Sequence, residues 1–133
     1  MSKKSLILQC DKLCKQIAYI LCKGRCEKCG SKVDLDNCDP HHIITKNMAS
    51  RWLIGKKKVG EIRLPENISI LHRKCHTEMH GKPKCAEMFY RDKIGDKKYD
   101  EINQLRPNYE FCEMWLEDLK LELKYIFNEL EEK

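Results

Sequence analysis

The residues best suited to chemistry in this sequence are its thiols and imidazoles, nine cysteines and five histidines in 133 residues. All five histidines fall between His41 and His80, in register with cysteine pairs: Cys26-Glu-Lys-Cys29, then His41-His42-Ile43, then His72-Arg-Lys-Cys75-His76-Thr-Glu-Met-His80. Two ligands separated by two residues are turned by a tight loop onto one ion. Cys26, Cys29, His72 and Cys75 therefore read as a closed tetrahedral zinc site of three thiolates and one imidazole. Such an ion would join two knuckles 43 residues apart, and much of its binding free energy would be folding free energy. Cys22 and Cys38 are the alternative thiols for a place in this site. Cys10 and Cys14, an i, i+4 pair on an apolar helix face, read as core residues.

Four histidines remain. His76 and His80 are i, i+4 on a helix, so their imidazoles face the same side and can share an ion. His41 and His42 are adjacent in an extended segment and point to opposite sides, so they cannot easily hold one ion together. Their duties must differ.

A cysteine knuckle, a His-His-Ile segment, a central Asn67 and Cys-His-x-x-x-His on a helix together resemble the HNH endonuclease superfamily, the ββα-metal finger nucleases. The resemblance covers residues 26–80. It implies that His41, where the family usually has Asp, ligates a catalytic divalent ion with His76 and His80. It also implies that His42 is the general base that activates water, and that Asn67 fixes the loop presenting that base. His72 stands where the second knuckle usually has Cys. Three neutral imidazoles favour manganese, nickel, cobalt or zinc over magnesium, which prefers carboxylate oxygen. The implied reaction is hydrolysis of a phosphodiester to 5′-phosphate and 3′-hydroxyl ends. Further along, Phe89-Tyr-Arg-Asp-Lys-Ile-Gly95 and Tyr99-Asp-Glu-Ile102 resemble the helical follow-on of small phage-encoded HNH proteins, including the lambda-type NinG recombination family, which implies a phage or prophage origin.

Charge points to a polyanionic partner. Residues 1–109 hold 23 Lys+Arg against 13 Asp+Glu, a net +10, while residues 110–133 hold 3 against 8, a net −5. A basic body neutralises phosphates and releases their counterions, so DNA, double-stranded, is the expected partner. Arg51, Lys56, Lys57, Lys58, Arg63 and Lys74 are the candidate phosphate contacts. A non-catalytic zinc-finger accessory of phage recombination or packaging shares all these features except any need for His41, His42, His76 and His80. No stretch reads as a signal peptide or a membrane span, and reduced thiols in such number fit a cytoplasmic protein of a bacterial host cell.

The elements that must position these side chains follow from periodicity. Leu6, Cys10, Leu13, Cys14, Ile17 and Leu21 share one face of an N-terminal helix stopped by Gly24. Val33 to Leu35 reads as a short strand, His41 to Ile44 and Ile68 to Leu71 as two strand arms, and Thr45 to Leu64 as a long basic loop. Residues 84–105 read as helix broken at Gly95, with Met88, Phe89, Ile94, Tyr99, Ile102 and Leu105 for burial. From Cys112, the residues Leu116, Leu119, Leu123, Ile126 and Leu130 form the seam of a final helix that packs within the chain or pairs two copies as a homodimer. The expected fold is α+β, a small ββα-metal core with a structural zinc knuckle flanked by helices. Its parts are an N-terminal helix (1–24), the core (25–83) and a helical extension (84–133).

Overall fold

The computed structural model describes residues 2–43, 54–59, 62–65, 67–104 and 113–132, and its class is α+β. Helix α1 spans Lys3–Leu21, capped at its start by the Ser2 hydroxyl, which accepts from the Ser5 N–H at 3.1 Å. Its apolar stripe buries Leu6, Cys10, Cys14 and Ile17. The chain leaves the helix through Gly24 at φ +71, where the Tyr19 hydroxyl lies 3.1 Å from the place a Cβ would take. A side chain there would have to displace that hydroxyl, which donates to the Val33 carbonyl at 2.9 Å.

The knuckle follows as a tight reversal, with Cys26 N–H donating to the Ser31 carbonyl and Gly30 N–H to the Cys26 carbonyl. The strand expected at Val33 to Leu35 does not form. Arg25 and Lys32 make one isolated bridge, and Leu35–Asn37 closes a 3-10 turn instead. Strand β1 is Cys38–His42, three residues ahead of the expected arm. It pairs antiparallel with β4, Ile68–His72, in a register that sets His41 opposite Ser69 and His42 opposite Ile68. Helix α2, Arg73–Gly81, begins directly at the end of β4.

The basic segment between these strands is not all loop. Strands β2, Ile54–Val59, and β3, Ile62–Pro65, form a second antiparallel pair with a register irregularity between Ile54 and Lys58. The lysine run hides the β-forming residues that flank it, and two glycines suggest loop; the pairing of the two segments overrides both signals.

Helices α3, Pro83–Ile94, and α4, Asp96–Gln104, are separated at Gly95, whose φ of +90 ends the first helix. Tyr99 and Ile102 are buried as expected and Phe89 and Ile94 partly so, whereas Met88 is 71% exposed; Leu105 lies outside the described residues. Helix α5, Glu113–Glu131, buries all five seam residues, Leu116, Leu119, Leu123, Ile126 and Leu130, in one cluster with Leu6, Cys10, Cys14 and Ile17 of α1. The seam is thus used within the chain. A second cluster, around Cys26, Cys38, Ile70, Leu71, Cys75, Met79, Tyr90, Tyr99 and Ile102, supports the cysteines and histidines. Among the described residues no helix is long and apolar enough to cross a membrane.

Candidate metal centres

Three of the four expected knuckle ligands come together: the sulfurs of Cys26, Cys29 and Cys75 all lie within 4.8 Å of one another. Bonds from Glu27, by its backbone and by its carboxylate, set this arrangement. Glu27 N–H donates to the Ile70 carbonyl at 2.9 Å, the Glu27 carboxylate accepts from Ile70 N–H at 2.6 Å, and Lys93 of α3 reaches its other oxygen at 2.8 Å. The knuckle is therefore clamped to β4, the strand that delivers Cys75 on the first turn of α2. Cys26 and Cys75 are buried and Cys29 is exposed.

The electrostatics suit a cation. Burial, then hydrogen bonds and charge from Cys29 and Cys26, pushes the Cys75 thiol up to about 12, while hydrogen bonds from Ser31 lower Cys29 to about 7. Thiolates gathered this closely repel one another, and a divalent ion removes the repulsion. Three sulfurs at this spacing can hold a metal such as zinc.

His72 is not part of the group. It is exposed, and its Nδ1 accepts from the Lys74 N–H at 3.2 Å as the cap of α2. Among the described residues the cysteine group thus has three members, and His72 in this rotamer serves the helix. Neither alternative thiol enters the group: Cys22 contacts the Tyr19 carbonyl and Cys38 the Leu35 carbonyl.

The second group is His41, His76 and His80, whose ligand nitrogens also lie within 4.8 Å of one another. Alternation along β1 sends His41 to the face that meets α2, and helical spacing brings His76 and His80 to it. The ring of His41 lies 5.1 Å and 5.2 Å from those of His76 and His80. The Nε2 atoms of His76 and His80 are 2.9 Å apart. Behind the first, His76 Nδ1 meets the Asp39 carboxylate at 3.0 Å, and Arg73 holds the other Asp39 oxygen at 3.6 Å. His41 Nδ1 lies 3.2 Å from the buried Tyr90 hydroxyl. Burial, then the neighbouring histidines, lowers His41 to about 4, so it is neutral at pH 7 and its ring has a lone pair to offer. Comparison with models of known protein families, with curated proteins and with solved structures finds no match.

His42 lies outside the histidine group, half-buried on β1 opposite Ile68. Asn67 is 1% exposed, and its carbonyl accepts from Ile43 N–H at 3.3 Å, which ties down the residue after His42. Of the expected phosphate contacts, Lys74 is exposed on α2, Lys56, Lys57 and Lys58 lie on β2 and Arg63 on β3, with Lys58 and Arg63 paired across the strands; Arg51 lies outside the described residues.

Residues of these sites that carried no assigned role in the sequence include Glu27, Asp39, Ser69 and Tyr90. Asp39 had a legible signal, since a residue two before His41 shares its face of a strand. Ser69 becomes visible once the β1–β4 register is known. Tyr90 arrives from a separate helix, and no local spacing announces it.

Proposed function

We propose that this protein is a metal-dependent endonuclease of the HNH type that hydrolyses phosphodiester bonds in DNA. The observation that carries the reading is the convergence of His41, from a strand, with His76 and His80, from the helix after its partner strand, at a site separate from the cysteine group. An antiparallel pair followed at once by a helix is the order of a ββα-metal finger. A purely structural finger needs one ion, and these imidazoles offer a second place for one.

A divalent ion held there would stabilise negative charge on the phosphoryl and leaving oxygens. His42 takes a proton from water as it attacks phosphorus, its imidazole kept from the ion by the alternation that sends His41 the other way. Asn67 holds the strand end that presents His42 through its bond to Ile43. Asp39 accepts from His76 Nδ1, which keeps Nε2 available as a ligand. Cys26, Cys29 and Cys75 hold structural zinc and tie the start of the helix to the knuckle. The basic body supplies phosphate affinity.

A plasmid nicking assay tests this. The zinc-loaded protein should convert supercoiled plasmid to nicked or linear forms with manganese or nickel, and a chelator should stop it. Plasmid retardation without any cleavage across manganese, nickel, magnesium and zinc would instead establish a non-catalytic zinc-finger module.

A further inference from the structure

His41 and Ser69 face each other across the β1–β4 pair, and Tyr90 of α3 closes over both. The Tyr90 ring stacks on the His41 ring, with centroids 5.7 Å apart and planes 8° from parallel. Its hydroxyl lies 3.2 Å from His41 Nδ1 and 2.6 Å from the Ser69 Oγ. Tyr90 and Ser69 are each 1% exposed and His41 is 7% exposed. In so closed a place each polar atom depends on the others for its hydrogen bonds.

A phenol has one proton, so Tyr90 can donate to His41 or to Ser69 but not to both. The two directions of the chain have different consequences. If Ser69 donates to Tyr90 and Tyr90 to His41 Nδ1, the neutral imidazole carries its proton on Nε2, the nitrogen turned away from Tyr90. That nitrogen then has no lone pair for an ion. If His41 Nδ1–H donates to Tyr90 and Tyr90 donates to Ser69, Nε2 is left bare. Both contacts are compatible with either direction, and only the second leaves Nε2 a lone pair to turn toward His76 and His80.

We propose that Tyr90, backed by Ser69, is a positioning residue that holds His41 in the tautomer with Nε2 free to bind the ion shared with His76 and His80. The inference rests on the reading of those three histidines as a metal site. It also gives the helical extension a part in that site. The two supports, Asp39 for His76 and Tyr90 for His41, differ in kind. A carboxylate only accepts, so Asp39 sets the His76 proton outright. A hydroxyl both donates and accepts, so Tyr90 sets the His41 proton only because Ser69 takes its own.

Tyr90→Phe separates these roles, since it keeps the stacked ring and removes the hydroxyl. Protein carrying one zinc per chain is titrated with manganese, with bound ion read by electron paramagnetic resonance. The wild type should bind a second ion, and Tyr90→Phe should bind it roughly 10- to 100-fold more weakly, the usual effect of losing an outer partner of a ligating histidine. Ser69→Ala should also weaken it, because Tyr90 then donates to His41 Nδ1 and leaves the imidazole proton on Nε2. In nitrogen-15 spectra of the one-zinc protein, His41 should carry its proton on Nδ1 in the wild type and shift toward Nε2–H in both variants. Equal manganese affinity in folded Tyr90→Phe, or an Nε2–H tautomer in the wild type, overturns the inference alone. A wild type that takes up no second ion overturns the metal-site reading and the inference together. Should Tyr90→Phe fail to fold, Ser69→Ala decides by the same two readouts.

Discussion

The cysteine group and the histidine group draw on successive residues of α2, Cys75 and His76, and they are held by different means. The thiols are placed mainly by backbone, through a tight reversal, the Glu27 N–H bond to the Ile70 carbonyl and a helix start, with the Glu27 carboxylate closing the pair onto Ile70 N–H. The imidazoles are placed by side chains behind them, Asp39 for His76 and Tyr90 for His41. One centre is mostly buried; the other grades from buried His41 to exposed His80. A backbone-built site with buried ligands acts as a staple. A side-chain-built site with an open edge can admit a substrate. Cys75 and His76 are successive residues of one helix, about 100° apart around its axis, so a single turn serves both.

The contrast predicts unequal damage when each site is broken. The largest effect should come from Cys75→Ser: a small core loses its staple, so zinc content should fall below one per chain and the cooperative thermal transition should be lost or shifted far down, as circular dichroism would read. An unchanged melt would show that the thiols do not hold the fold together. Next, His42→Ala should lower nicking by roughly 10²- to 10⁴-fold, the usual share of a general base, with zinc content and melting point unaltered. A fully active variant would remove His42 from that role.

A smaller effect concerns His41 in protein that carries zinc at the cysteine site and no ion at the histidine site. Its folded value of about 4 lies below the ordinary 6.5, so between those values the unfolded chain binds the proton and the folded chain does not. Stability from this group is therefore complete above pH 6.5 and falls as the pH drops toward 4, by up to about 3 kcal/mol. Denaturant midpoints for wild type and His41→Asn across this range should converge as the pH falls; parallel curves would show that His41 is not held neutral by burial.

Much of this was legible in the sequence, for physical reasons that differ by region. The α1 and α5 stripes are long and strictly periodic, so their burial follows from spacing, and Leu6 through Ile17 do meet Leu116 through Leu130. His76 and His80 are fixed by helical geometry, and His41 is separated from His42 by strand alternation. What could not be read depends on register and on distant packing. The start of β1 at Cys38 is set by its pairing with His72, and the β2–β3 pair is obscured by Lys56, Lys57 and Lys58. His72 has the spacing of a ligand, yet it also sits at a helix start, where its Nδ1 finds the Lys74 N–H. Spacing alone does not decide between two such partners.

The central claim is that Cys75 and His76 belong to different ions. X-ray absorption on protein loaded with zinc and then manganese addresses it directly, with each edge read separately. Zinc should show a shell dominated by three sulfurs at about 2.3 Å, and manganese a shell of nitrogen and oxygen without sulfur. A single bound ion with a mixed sulfur and imidazole shell, drawn from both groups, would contradict the account.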